Sequence, residues 1–171
     1  MGVYTEFYDQ IDPEPRPELP TNDAAEQALL GAILCDNRVF VQIAEIVRPE
    51  DFSWGVHARI FSAISKQLNS GLRATPVTLR HLFDRDPALQ KNGGGRYLAT
   101  LAVSAVTFSN TPDYAVVLVD LALRRALISD LSEPKPGQTT LDILAAYRSR
   151  LELLAKFVRD LAPTGKGANA E

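Results

Sequence analysis

The chain of 171 residues has only one cysteine, one tryptophan and two histidines. A single cysteine cannot form an internal disulfide, and we expect Cys35 to be a buried structural thiol in a reducing cytoplasm. His57 and His81 fall in different predicted helices without a cysteine or histidine at ligand spacing, so no metal site is expected. No apolar run approaches the roughly 18 residues of a membrane span, so the sequence predicts no membrane attachment.

Marks of catalysis are also lacking. A phosphate-binding loop needs glycine, four residues, glycine, lysine and then serine or threonine. Neither the Gly93–Gly95 run nor the Gly165–Gly167 segment fits that pattern. We expect His57 to be a packed or solvent-edge histidine rather than a catalytic base, and no nucleophile is marked. The prediction is therefore no catalytic residue, no cofactor and no ATPase activity for this chain.

Acidic charge is concentrated in residues 1–20, which hold five acidic residues, four prolines and one arginine. This composition predicts a disordered arm. Tyr4, Phe7, Tyr8 and Ile11 could anchor the arm to a partner, and a plain flexible tail is the alternative. The formal net charge is −3, whereas the arm alone carries −4, so the rest of the chain is close to neutral. The rest has no basic footprint, so tight direct nucleic-acid binding by this chain alone is not expected.

Apolar residues recur at helical spacing along most of the chain, and no period-two strand pattern persists. Asp23 and Glu26 fit a capping box at the start of the first helix. Thr75-Pro76 and Thr111-Pro112 fit a cap followed by proline. The prediction is an all-α fold, with a compact bundle of about five short helices in residues 21–110, an antiparallel helical hairpin in 111–162 and a disordered tail in 163–171.

The second hairpin helix carries a heptad-like apolar stripe, formed by Leu144, Tyr147, Leu151, Leu154, Val158 and Leu161. A second set lies off that stripe, namely Leu141, Ile143, Leu153 and Phe157. Its apolar surface either contacts a partner or folds back onto the bundle. For the hairpin seam or a dimer contact we predict six residues, Tyr114, Leu118, Leu121, Tyr147, Leu151 and Leu154.

Between about residues 19 and 128, several stretches in order resemble the N-terminal domain of the DnaB family of replicative DNA helicases. They are Ala25-Glu26-Gln27 leading into Leu29–Leu34, Pro49-Glu50-Asp51-Phe52, His57–Ile64, Gly93–Leu98 and Ala122–Ile128. The resemblance implies a helical globule with a hairpin, which dimerises, helps to build a hexameric ring and contacts primase and loader proteins. It also implies that the ATPase motor belongs to a separate domain.

Three functions follow as alternatives. The first is a non-catalytic oligomerisation and partner-docking domain of a replicative helicase, here without its motor. The second is a stand-alone phage- or plasmid-type regulator that binds a host helicase or primase. The third is a small enzyme with an unrecognised site. Pro134 and Pro136 interrupt the segment after Ile128, which predicts a short hairpin and leaves the family's mode of dimerisation in question.

Overall fold

The structure, a computed structural model, describes residues 19–105 and 111–161. The predicted tail and nearly all of the predicted arm lie outside this part, so both stay predictions. The described residues form no strand, and the all-α prediction is confirmed. Their α-helices are α1 (Asp23–Cys35), α2 (Arg38–Ile43), α3 (Gly55–Asn69), α4 (Pro76–Phe83), α5 (Tyr97–Ser104), α6 (Thr111–Ser132) and α7 (Thr140–Leu161). Short 3-10 helices cover Pro49–Asp51, Pro87–Asn92 and Gly94–Arg96.

Several helices begin at a residue whose side chain caps the first turn. Thr75 caps α4 by accepting a hydrogen bond from the Thr78 amide at 3.1 Å, as its sequence pattern predicts. Thr139 precedes α7, and its amide donates to the Asp142 carboxylate at 2.8 Å. The predicted capping box of α1 is wrong. Asn22 caps that helix instead, by accepting from the Ala25 amide at 3.0 Å.

Helix α1 is the centre of the core, because α3, α5 and α6 all contact it. Leu29, Leu30 and Ile33 are fully buried among these helices. The approach of α5 is so close that a Cβ on Gly31 would lie 2.1 Å from the Leu101 carbonyl oxygen. Only glycine fits at this crossing, which makes Gly31 a packing requirement of the fold.

Helices α6 and α7 form the predicted antiparallel hairpin. Near the connection the Tyr147 hydroxyl donates to the Asp130 carboxylate, and at the other end Val117 and Val158 line one groove. Each helix has 22 residues, or about 33 Å at 1.5 Å per residue. The expected short hairpin is therefore not observed. Pro134 and Pro136 lie in the connection between the helices, where they interrupt neither one.

The hairpin does not stand apart from the bundle. The first half of α6 packs on the globule through its buried residues, namely Ala115, Leu118, Val119, Ala122 and Leu123. On α7, Ile143 is buried, and Leu153 and Phe157 pack partly buried against the core. The set off the heptad stripe thus folds largely inward, although Leu141 stays exposed.

Candidate functional site

A buried chain of polar side chains links α1, α3 and α5. The Glu26 carboxylate lies 2.6 Å from His57 Nδ1, and His57 Nε2 lies 2.8 Å from the Tyr97 hydroxyl. Glu26 also accepts from the amide and the hydroxyl of Ser53, each at 2.6 Å. With Glu26 ionised and the ring neutral, Nδ1–H donates to the carboxylate and Nε2 accepts from Tyr97. Every polar atom of the network thereby gains a partner.

The electrostatics of Glu26 follow from these contacts. Burial alone would raise the pKa of its carboxyl, but the hydrogen bonds from His57 and Ser53 outweigh burial, and the pKa is lowered. Burial, with the charges of Asp23 and Glu26, raises the pKa of Tyr97 to about 12. At neutral pH the network therefore holds a carboxylate and a protonated phenol.

The series of hydrogen bonds from Tyr97 through His57 to Glu26 resembles an acid-base relay, but a substrate cannot reach it. Glu26 and His57 are 0% exposed, and Tyr97 is 5% exposed. The Trp54 ring packs edge-on against His57, with the ring centroids 4.6 Å apart. We conclude that these residues cross-link three helices and, in this arrangement, cannot contact a reacting molecule. His57 is thus a packed histidine, as expected.

Sequence reasoning missed this network because it assigned Glu26 to the helix cap. One signal was available, since Glu26, Leu30 and Ile33 share the face of α1 that the apolar pattern turns toward the core. A carboxylate on such a face needs a buried partner. The partners could not be identified from local sequence patterns, because Ser53 and His57 lie as far as 27 and 31 residues from Glu26 along the chain.

A second polar cluster fastens the hairpin to the globule around Asp51, which is buried at the end of the Pro49–Asp51 turn. Arg150 of α7 donates to the Asp51 carboxylate and, at 3.3 Å, to the Ile46 carbonyl. Arg125 of α6 donates to the Asp51 carbonyl and, at 2.9 Å, to the Pro20 carbonyl. One short turn therefore receives a guanidinium from each hairpin helix.

Burial raises the pKa of Asp51, and the lowering effects of the Arg48 amide and the Arg150 guanidinium do not fully offset it. Breaking a buried pair of this kind typically costs about 3–5 kcal/mol, because the remaining charge stays buried without a partner. The pair also explains the rotation of α7 about its axis. With Arg150 turned toward Asp51, the line Ile143, Arg150 and Phe157 faces inward, and the line Leu144, Leu151 and Val158 faces outward.

The six residues predicted for the hairpin seam or dimer contact fall into different environments. Leu118 is buried in the core beneath α6. Tyr114, Leu121, Tyr147 and Leu154 are partly buried, and Leu151 is 46% exposed. The structure brings Tyr147 and Leu154 to the inner side of α7 and leaves Leu151 outside. Their role in a dimer contact stays a prediction.

Two grooves flank α7. One is apolar, with a volume of about 430 Å³, and it is lined by Asp113, Val116, Val117, Val158 and Leu161. The other has a volume of about 450 Å³ and is lined by Arg48, Ala146, Tyr147, Ser149, Arg150 and Leu153. We call the second one the arginine groove. Both are open surface features, in contrast to the sealed Glu26 network.

Other candidate chemistry is sparse in the described part of the chain. Within residues 19–105 and 111–161, no three histidine, cysteine, aspartate or glutamate side chains lie together as a metal ion would require. In the same ranges no helix combines the length and apolar character needed to cross a membrane. The expected burial of Cys35 is wrong. The residue is exposed at the end of α1, and its thiol donates to the Ala102 carbonyl at 3.2 Å.

Known proteins match this chain over most of its length. The family model described as DnaB-like helicase N terminal domain matches residues 18–120. The replicative DNA helicase DnaB of Rickettsia conorii (strain ATCC VR-613 / Malish 7) is 39% identical over 138 residues, which cover 81% of this chain and 26% of the relative. That of Rickettsia typhi (strain ATCC VR-144 / Wilmington) is 35% identical over 147 residues, which cover 86% and 30%. The chain thus spans between a quarter and a third of these relatives.

Solved structures share the fold. The crystal structure of the N-terminal domain of DnaB helicase from Mycobacterium tuberculosis matches with a TM-score of 0.58 at 26% identity, covering 78% of this chain and 97% of that one. The structure of a DnaB-like replicative helicase and its interactions with primase matches with a TM-score of 0.57 at 21% identity, covering 85% and 36%. The second likeness supports the fold alone.

Proposed function

This chain belongs to the family of DnaB-like helicase N-terminal domains, and from that membership we propose that it is a non-catalytic oligomerisation and partner-docking domain of a replicative DNA helicase. Its partners would be further copies of itself and a primase or helicase loader, in primosome assembly during DNA replication. The structure of a DnaB-like replicative helicase and its interactions with primase shows the same fold, and we propose a partner of that class for this chain.

The observation that carries the proposal is an apolar line on the outside of α7. Leu144, Leu151 and Val158 are each between 44% and 49% exposed. They are seven residues apart, so they share one side of the helix. A continuous apolar line of this kind is typical of a surface that another helix covers. It is the surface through which we expect a second copy or a partner to bind.

The sealed polar network supports the non-catalytic part of the proposal. Glu26, His57 and Tyr97 form the most elaborate cluster of titratable groups in the described residues, and their burial suits them to hold helices together. On the hairpin, the features that reach solvent are instead an apolar helix face and two grooves. These are suited to recognising protein surfaces.

The test is the molar mass from multi-angle light scattering over a concentration series. We expect the wild-type chain to form a dimer or a larger assembly, and Leu151→Asp to form a folded monomer. Val77→Asp is the matched control, because Val77 is 83% exposed on α4 and the same charge is added away from the hairpin. Circular dichroism would show that both variants keep the wild-type helix content.

The alternative outcomes separate the candidate functions. A wild-type chain that stays monomeric at every concentration would refute self-association through α7. If that monomer still bound a purified helicase or primase, the stand-alone regulator would be favoured. If Val77→Asp dissociated the assembly as fully as Leu151→Asp, the α7 line would not be the interface.

A further inference from the structure

We propose that residues 4–12 of the N-terminal arm dock in the arginine groove of their own chain. This inference goes beyond the oligomerisation role and does not rest on it. The two surfaces lie on different sides of α7. At 100° per residue, the groove residues Ala146, Ser149 and Leu153 lie roughly 150–170° around the helix from the line of Leu144 and Leu151, and only Tyr147 lies near that line.

The point where the arm joins the described structure lies beside the groove. The Pro20 carbonyl accepts from Arg125 at 2.9 Å, and the same guanidinium donates to the Asp51 carbonyl. The Asp51 side chain in turn pairs with Arg150, which lines the groove. Three successive contacts thus connect the base of the arm to the groove.

The sequence of the arm supplies a suitable length. Prolines recur at positions 13, 15, 17 and 20, and proline-rich segments adopt an extended, semi-rigid form with a rise of about 3.1 Å per residue. Residue 13 could therefore lie up to roughly 22 Å from Pro20. The three contacts join neighbouring residues, so a segment of this length lets residues 4–12 enter the groove.

The chemistry of the arm complements the groove. Tyr4, Phe7, Tyr8 and Ile11 follow the i, i+3, i+4, i+7 spacing of a helix that binds through one apolar face. Glu6, Asp9 and Asp12 add negative charge between and after them. The described lining of the groove offers Ala146, Tyr147 and Leu153 as apolar contacts, together with two arginines and no carboxylate.

Both groove arginines have capacity for a new partner. Arg48 is 55% exposed, and its contact with Glu50 is long, at 3.9 Å, so this surface pair contributes little. The Nε of Arg150 is buried and has no hydrogen-bond partner among the described residues. Buried polar groups normally have a partner, so this donor favours an acceptor brought by the arm.

The experiment is site-specific photo-crosslinking of the full chain, with a benzophenone side chain in place of Phe7. We expect crosslinks to residues 146–153, identified by mass spectrometry, in a product with the mass of one chain. Ser149→Asp places a carboxylate in the groove and should lower the yield about tenfold, because like charges then face each other. Ala145→Asp is the matched control, since both side chains are exposed on α7 but Ala145 does not line the groove.

Three results would overturn the proposal. Crosslinks that appear only in a two-chain product would assign the groove to the arm of a second copy. Crosslinks to other segments, or none, would show that the arm does not occupy it. Equal yields from Ser149→Asp and Ala145→Asp would remove the groove from the interaction. The comparison of Leu151→Asp with Val77→Asp tests the α7 line by itself, and a monomeric wild-type chain would leave the one-chain crosslink unchanged, so the two proposals fail separately.

Discussion

Replacing Glu26 with alanine should be among the most destabilising single changes in this domain. The carboxylate accepts hydrogen bonds from the Ser53 amide, the Ser53 hydroxyl and His57, each at 2.6 Å. Glu26→Ala removes all three acceptor contacts and leaves the buried His57 donor and the partly buried Ser53 donors unpaired. Each donor left unsatisfied in the interior costs about 1–3 kcal/mol.

The magnitude follows from adding the donors that cannot reach water. The His57 ring is fully buried, and Ser53 is partly buried. We expect a loss of about 4 kcal/mol in the free energy of unfolding, within the range for breaking a buried charged pair. Single domains have about 5–15 kcal/mol in total, so the variant would keep about 1–11 kcal/mol and would still fold in the absence of urea.

Urea unfolding followed by circular dichroism measures this loss. Glu45→Ala is the control, because Glu45 is an exposed glutamate, and its unfolding midpoint should stay near that of the wild type. Glu26→Gln keeps one acceptor oxygen and should lose about half as much as Glu26→Ala. A loss below about 1 kcal/mol for Glu26→Ala, with an unchanged urea dependence, would refute the assignment of the network as a helix cross-link.

The remaining predictions concern pH, packing and capping. The pKa of Glu26 is lowered from its ordinary 4.5, so the stability that its carboxylate gives the fold is complete above that pH. This stability is lost as the pH falls through the pKa of the folded state. The difference in urea midpoint between the wild type and Glu26→Gln should therefore narrow below pH 4.5. Gly31→Ala should cost about 3 kcal/mol by the same titration, because its Cβ would overlap a carbonyl of α5, whereas Gly55→Ala meets only a side-chain atom at 3.8 Å and should change stability little. Thr139→Ala should lower the free energy of unfolding by about 1 kcal/mol, because the Asp142 amide loses its hydrogen bond to the threonine hydroxyl. Hydrogen exchange should then be faster in the first turn of α7, and unchanged exchange there would contradict a capping role.

Local rules were sufficient for the helices and for part of the core. Leu29, Leu30 and Ile33 are buried as their spacing predicts. The Thr75 cap is readable because its bond joins residues three apart. Such features depend on a few neighbouring residues, so they are present in the sequence itself.

Features that depend on distant residues were not readable in the same way. Helix α7 carries two apolar lines at heptad spacing, one through Leu144 and one through Ile143. The sequence alone does not show which of them faces the core. The choice is made by Arg150 and Asp51, a pair 99 residues apart. The environments of Tyr147, Leu151 and Leu154 follow from that rotation, which is why Leu151 is exposed while the other two are partly buried.

The central position of α1 also has a consequence for synthesis on the ribosome. Its apolar face is covered by α5 and by α6, and the last buried residue of α6, Leu123, is made about ninety residues after α1 is complete. At translation rates of about 5–20 residues per second, this delay is roughly 4–18 s. During that interval Leu29, Leu30 and Ile33 lack part of their cover, and we expect the protein to become resistant to proteolysis only when α6 has emerged from the exit tunnel.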